Sequence, residues 1–300
     1  MKRFQKILVP LQFVESDRAV ITMVSHLARW SEPSSITFCH FSPKVDIPES
    51  LMESHPWLLE PIDEKARERM EKAVLETGLF PDPSIIDFHV EEANPVSRSL
   101  ELVIEKDCDL LVTGSERSDI AVRLARKAPC SVCVVPAAIP EEIRTTMVAT
   151  DFSEYSRQAF EIGSALSRVI GSGGPKLVYV SQIHKGHRWG ILPKDEIVKA
   201  NEKYARSKMA EFCESLDPPP AEEQRVIHHH ESVPFGVLDY VNQNGIDCIV
   251  AGCRGRDALS AVLLGSVVEQ ILESSTVPVL AVKAKGTGRG FLESILGIGE

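Results

Sequence analysis

The residues best suited to do chemistry lie in the second half of this 300-residue chain. Gly252-Cys253-Arg254-Gly255 is followed, after nine further residues, by Gly265-Ser266. Glycines let backbone N–H groups approach phosphate oxygens closely, and a helix opening at Ser266 would add orphan N–H donors and the positive end of a dipole. A polyphosphate fits between Gly255 and Ser266. Asp151, at the end of a strand-like apolar run, offers acceptors to a base or ribose, and the backbone near Val180 borders the same crevice. Taken singly, each glycine could serve a tight turn and the aspartate could cap a helix; their common register points to nucleotide binding. No Gly-Lys-Ser or Gly-Lys-Thr occurs, so powerful NTPase chemistry is not expected.

Other candidates read more plainly. In His228-His229-His230 the first and third side chains share one face of a strand, as a metal pair would, but no second cluster with ligand spacing supports a metal site. Cys130 and Cys133 have metal or redox spacing, yet in a strand residues three apart face opposite ways, which suits packing thiols. Cys253 lies inside the glycine loop, where Arg254 and a helix dipole would lower its pKa and allow redox sensing. His184 and His187, with Lys185 and Arg188, follow the second strand of this half and either screen phosphate or are simply solvated.

The elements that must position these residues come from a duplication. Ile7 to Glu15 aligns with the run ending Val148-Ala149-Thr150-Asp151-Phe152-Ser153-Glu154 at an offset of 139, pairing Gln12 with Asp151, Phe13 with Phe152 and Arg18 with Arg157. Asp109 to Gly114 aligns with Asp247 to Gly252 at an offset of 138. In each half, short apolar runs alternate with segments of helical period, the pattern of a parallel sheet with crossover helices. Ser153 is a good N-cap for a helix ending at Gly171, and later helices are expected over Lys194 to Leu216, Phe235 to Asn244 and Ser266 to Ser274. Five strands per half follow. The fold class is thus α/β, with two tandem open five-stranded parallel-sheet domains, over residues 1–138 and 145–284, and a tail from 285 to 300.

This arrangement resembles the universal stress protein family along nearly all of both repeats. The family's phosphate motif, Gly-x2-Gly-x9-Gly followed by Ser or Thr, is met by Gly252, Gly255, Gly265 and Ser266, with Asp151-Phe152-Ser153 on the first strand and Val277-Pro278-Val279 on the last. The resemblance implies a Rossmann-like fold of the adenine nucleotide alpha hydrolase type, with ATP, ADP or AMP as ligand and Mg as an accompanying ion. It implies that Thr150, Asp151 and Val180 face the adenine or ribose. Gly252, Arg254, Gly255, Gly265, Ser266 and Val267 would surround the phosphates. It also implies that the last strands of the two repeats pair in an internal pseudo-dimer, which would hide two strand edges; whole chains could pair again as a homodimer.

The first half departs from that pattern. Its loop runs Gly114-Ser115-Glu116-Arg117 and reaches the last strand nine residues early, with Arg117 in place of Gly255, Gln12 in place of Asp151, and Glu116 where phosphate would lie. One ligand per chain is expected, in the second half. The chain carries 33 Lys and Arg against 43 Asp and Glu, net −10, which disfavours nucleic acid and anionic membrane. No apolar run approaches the length of a membrane span, the amino terminus carries no export signal, and the cysteines, seven in all, suit a reducing compartment, so a cytoplasmic location is expected. The function this predicts is a nucleotide-responsive stress or regulatory protein with no catalytic residue assigned. A slow ATP hydrolase, with Asp151 as the one obvious base, and a nucleotide-independent scaffold are the alternatives. The apolar residues of Phe291 to Leu296 share a helical face that would dock on this chain or a partner, the alternative being a frayed terminus.

Overall fold

The computed structural model describes residues 3–43, 62–182, 194–253 and 264–284. In the first repeat the elements are β1 (Lys6–Pro10), α1 (Asp17–Ser31), β2 (Ser35–Ser42), α2 (Ile62–Leu75), β3 (Ile86–Glu92), α3 (Pro95–Glu105), β4 (Leu110–Gly114), α4 (Ser118–Lys127) and β5 (Ser131–Val135). In the second they are β6 (Thr146–Ala149), α5 (Glu154–Ile170), β7 (Lys176–Gln182), α6 (Lys194–Glu214), β8 (Arg225–His230), α7 (Val233–Asn244), β9 (Cys248–Gly252), α8 (Ser266–Ser274) and β10 (Val279–Val282).

Local chemistry sets these bounds. Asn94 caps α3 by accepting the N–H groups of Val96 and Ser97, both at 3.1 Å, and Pro95 takes the first helical position, where no N–H is needed. Ser153 caps α5 through the Ser156 N–H, and Gly171, at φ 73°, ends it in the left-handed conformation that costs glycine least. Each repeat clasps its first strand in the same way. Asp109 accepts the N–H groups of Gln5 and Lys6, and Asp247 those of Arg144 and Thr145.

The ten strands form one sheet in the order β3-β2-β1-β4-β5-β10-β9-β6-β7-β8. Every neighbouring pair is parallel except β5 and β10, which run antiparallel with Val279 opposite Val134 and Ala281 opposite Val132. The expected pairing of last strands is therefore present within the chain. Strands β4, β5 and β9 are buried along their whole length, as strands covered on both faces must be. One face is covered by α3, α4, α7 and α8, with Leu100, Leu124, Val237 and Ile271 among its core residues. The other is covered by α1, α2, α5 and α6, with Val24, Met70, Leu166 and Met209. Both cores run without a break from one repeat into the other.

Two polar links tie the helices at the seam. Arg126 on α4 is ion-paired with Glu269 on α8. Beyond β10, the Lys283 ammonium donates to the carbonyls of Ala125 (2.6 Å), Arg126 (3.2 Å) and Ala128 (2.9 Å), placing a cation at the negative end of α4.

Candidate functional site

In the second repeat the strand order reverses between β9 and β6, and crevices for ligands form beyond the carboxyl ends of strands at such a switch. Of the residues singled out in sequence, the described ones Thr150, Asp151, Gly252 and Gly265 lie at that end of the sheet. Ala149 pairs with both Ala251 and Val178, and Val282 with Gly252, so Thr150, Asp151, Gly252 and Cys253 lie at neighbouring strand ends. The Thr150 N–H continues the ladder to the Val178 carbonyl at 2.9 Å, which brings the following Asp151 beside Val180. Val180 pairs with His228 and its side chain is buried in the core, so it offers a crevice main chain and not side chain.

The segment between β9 and α8 leaves and returns to one point. Cys253 donates its N–H to Val282 at 3.0 Å and accepts the Gly265 N–H at 2.8 Å. Gly265 then caps α8 in an extended conformation, φ −68° and ψ 138°, with Ser266 exposed and Val267 half-buried in the first turn. Arg254 and Gly255 lie outside the described residues, as do His184, His187 and the 285–300 tail. Gly252 has a packing reason of its own: a Cβ there would lie 2.7 Å from the carbonyl carbon and oxygen of Tyr155 in α5. Cys253 is 1% exposed and belongs to the core, which does not suit a redox sensor.

The loop from β6 to α5 is laced by its own side chains. Thr150 Oγ accepts the Phe152 N–H at 3.0 Å, which steadies Phe152 at φ 65°, left-handed and unusual for a non-glycine residue. Asp151 Oδ1 accepts the Ser153 N–H at 3.1 Å and the Ser156 hydroxyl at 2.7 Å, and Ser156 Oγ in turn accepts the Asp151 N–H at 3.1 Å. Ser156 escaped the sequence reading. Phe152 stacks on Tyr179 at 4.5 Å.

The first repeat builds the same turn differently. Phe13 is again left-handed, at φ 57°, and lies 4.0 Å from the His40 ring. Here the carboxylate comes from the helix. Asp17 accepts the N–H groups of Gln12 (3.1 Å) and Val14 (3.3 Å), and burial raises its pKa against the lowering effect of these amides. Gln12 Oε1 is buried without a hydrogen-bond partner. Glu116 accepts the Ser16 hydroxyl at 2.6 Å, so a carboxylate of the chain already stands at the start of α1. Leu111 pairs with Val132 and Ile249 with Val279, so the offset between repeats grows from 138 to 147 across this loop.

Two histidines of the run have ordinary partners, while His229 Nδ1 is buried without one. His228 Nε2 meets Asp239 at 2.9 Å, and His230 Nδ1 accepts the Ser232 N–H at 3.0 Å. Among the described residues no group of three or more His, Cys, Asp or Glu could hold a metal ion. Their helices include none long and apolar enough to cross a membrane.

A duplicated α/β fold with an antiparallel seam between its halves and a strand-order switch in each defines a class of tandem Rossmann-like proteins. The family model described as Universal stress protein family matches residues 3–136 and again 142–283. The chain belongs to the universal stress protein family, as a tandem member. It is 21% identical over 209 residues to universal stress protein E of Photorhabdus laumondii subsp. laumondii, covering 64% of this chain and 67% of that one. Over 51 residues it is 37% identical to universal stress protein MJ0577 of Methanocaldococcus jannaschii, covering 17% of this chain and 32% of the relative. Among solved structures, a protein of unknown function, PA1789 from Pseudomonas aeruginosa PAO1, has the same fold with a TM-score of 0.60 and 15% identity, covering 99% of this chain and 98% of that one. A universal stress protein from Archaeoglobus fulgidus DSM 4304 gives a TM-score of 0.57 at 15% identity, covering 93% and 98%.

Proposed function

We propose that this protein is a nucleotide-responsive regulator that binds one adenine nucleotide per chain, of the ATP, ADP or AMP type, in the second repeat, over residues 145–284. The observation that carries this reading is the contrast between two copies of one fold. In the second repeat, Asp151, Gly252 and the start of α8 at Gly265-Ser266 share one end of the sheet, with a long segment between β9 and α8. In the first repeat that segment is nine residues shorter, Glu116 stands at the start of α1, and Gln12 replaces the aspartate. A phosphate approaching the first crevice would meet a carboxylate; one approaching the second would meet the N-terminus of α8.

Thr150, Asp151 and Val180 would face the base and ribose, and Gly252, Arg254, Gly255, Gly265, Ser266 and Val267 the phosphates, with Mg accompanying them. The first repeat, residues 1–138, serves as the structural partner that completes the sheet. Isothermal titration with ATP tests the assignment. Gly265→Leu, which puts a bulky side chain at the N-cap of α8, is expected to abolish binding, and Gly114→Ala to leave it unchanged. Two sites per chain, or affinity lost with the Gly114 variant and kept with the Gly265 variant, would overturn it. Phosphate release measured in the same samples separates a binding module from a slow hydrolase.

A further inference from the structure

We infer that Ser156 is a positioning residue for Asp151, and that an exchange of side chains between two positions of the repeat determines which half recognises a nucleotide. This rests on the nucleotide reading given above for the second repeat. At the offset of 139 that relates the first strands, Gln12 corresponds to Asp151 and Asp17 to Ser156. At these two positions each repeat thus keeps one carboxylate and one neutral partner, with their places interchanged.

The interchange reverses what the carboxylate can do. In the first repeat it sits on α1 and reaches inward, accepting the N–H groups of Gln12 and Val14, so it is spent on closing the turn. The strand end itself carries an amide whose Oε1 is buried and unpartnered. In the second repeat the carboxylate sits at the strand end, and the helix supplies only a hydroxyl. That hydroxyl, on a residue 3% exposed, donates to Asp151 Oδ1 at 2.7 Å while accepting the Asp151 N–H at 3.1 Å. With the Ser153 N–H on the same oxygen at 3.1 Å, rotation of the carboxylate is fixed before a ligand arrives.

A free aspartate would have to surrender rotamer freedom on binding, which weakens association; a clamped one has already done so when the protein folds. The donor in this clamp is buried and its acceptor is a carboxylate, so the hydrogen bond is of the stronger kind. Ser156 therefore acts on affinity through Asp151 without touching the ligand. The other half does not reproduce this, because its strand end carries the amide of Gln12 and the Asp17 carboxylate is bound to the backbone of Gln12 and Val14.

The test is a double-mutant cycle on the full chain, with ATP as the probe and calorimetry as the readout, together with amide hydrogen exchange of unliganded protein. Ser156→Ala is expected to weaken ATP about tenfold, near the loss of one charge-assisted hydrogen bond, and to speed exchange at Asp151 and Ser153. Asp151→Asn is expected to weaken it more, and adding Ser156→Ala to that variant to cost nothing further. Ser156→Cys, close in size but a weaker donor and acceptor, should fall between wild type and Ser156→Ala, which guards against a folding defect in the alanine variant. Exchanging both positions, Asp151→Gln with Ser156→Asp, should remove binding while the chain stays folded. Wild-type affinity in Ser156→Ala, or an undiminished loss on top of Asp151→Asn, would overturn the inference and leave the nucleotide reading standing. Failure of the wild-type chain to bind ATP would overturn both, whatever the exchange rates show about the clamp.

Discussion

Replacing Gly252 by alanine puts a methyl group against backbone. The new Cβ would lie 2.7 Å from both the carbonyl carbon and oxygen of Tyr155 and 2.8 Å from its Cβ. To restore ordinary contact the first turn of α5 would have to retreat by roughly 0.8 Å. That turn is held by the Ser153 cap and by the Asp151–Ser156 pair, so it cannot move without loosening both. Overpacking of this kind costs about 1–3 kcal/mol, and the upper part of that range is expected because backbone, not a flexible side-chain end, must give way. The same change at Gly114 meets only side chains, Ser16 Oγ at 3.3 Å and Val20 Cγ2 at 3.4 Å. There the crowding is slight and is offset by about 0.4–1 kcal/mol from the stiffer unfolded chain. Urea unfolding of both variants should therefore separate them by about 2 kcal/mol, with the Gly252 variant less stable. Equal midpoints, or the reverse order, would show that helix packing does not require glycine at position 252.

Other expectations concern the seam and the thiols. Lys283→Met keeps the unbranched stem, one atom shorter, but removes the cation from three carbonyls at the end of α4, and should lower stability by about 1–2 kcal/mol in the same urea assay; no change would mean that the contact is not maintained in solution. A fragment of residues 143–284 exposes the β10 edge that β5 normally covers and is expected to dimerise through it, as light scattering would reveal, whereas a folded monomer would contradict this. All seven cysteines are buried, and burial pushes the Cys108 thiol up to about 12 and those of Cys39, Cys130 and Cys133 upward as well. The neutral thiol is thus favoured in the folded state, so at pH 8 a disulfide reagent should label none rapidly until denaturant is added. Any fast-reacting thiol in the native chain would argue against this burial.

Much of the fold was legible because both repeats present the same alternation, and the strand and helix bounds follow it closely. Fully buried strands such as Ser131–Val135 stand out as unbroken apolar runs. Registration within the sheet was harder to read. Phe38 pairs with Phe88 and Leu177 with Arg225, so at the third strand the offset is 137, a value hidden by the differing segments before it. At the site, Asp151 and the glycines could be found from spacing, and Ser156 could have been found from the same offset had the Gln12 and Asp17 positions been compared together. The packing need at Gly252 was not legible, since contact with the Tyr155 backbone depends on how α5 lies across the sheet. Likewise, nothing in the spacing of Lys283 marks it as a partner for a helix 155 to 158 residues earlier in the chain.

The antiparallel seam between β5 and β10 has a consequence for valency. Because the strands of the two repeats run in opposite senses, their carboxyl ends emerge on opposite sides of the molecule. Two identical subunits joined in this way would be bivalent, with a ligand-bearing pole at each end and the capacity to bridge two partners. Fusion into one chain allows the poles to diverge. With Glu116 on the Ser16 hydroxyl and Asp17 on backbone at one pole and Asp151 clamped at the other, the proposed ligand would mark a single end. A partner that reads that mark would form a one-to-one complex, and the opposite pole would remain available for a surface that does not change with nucleotide.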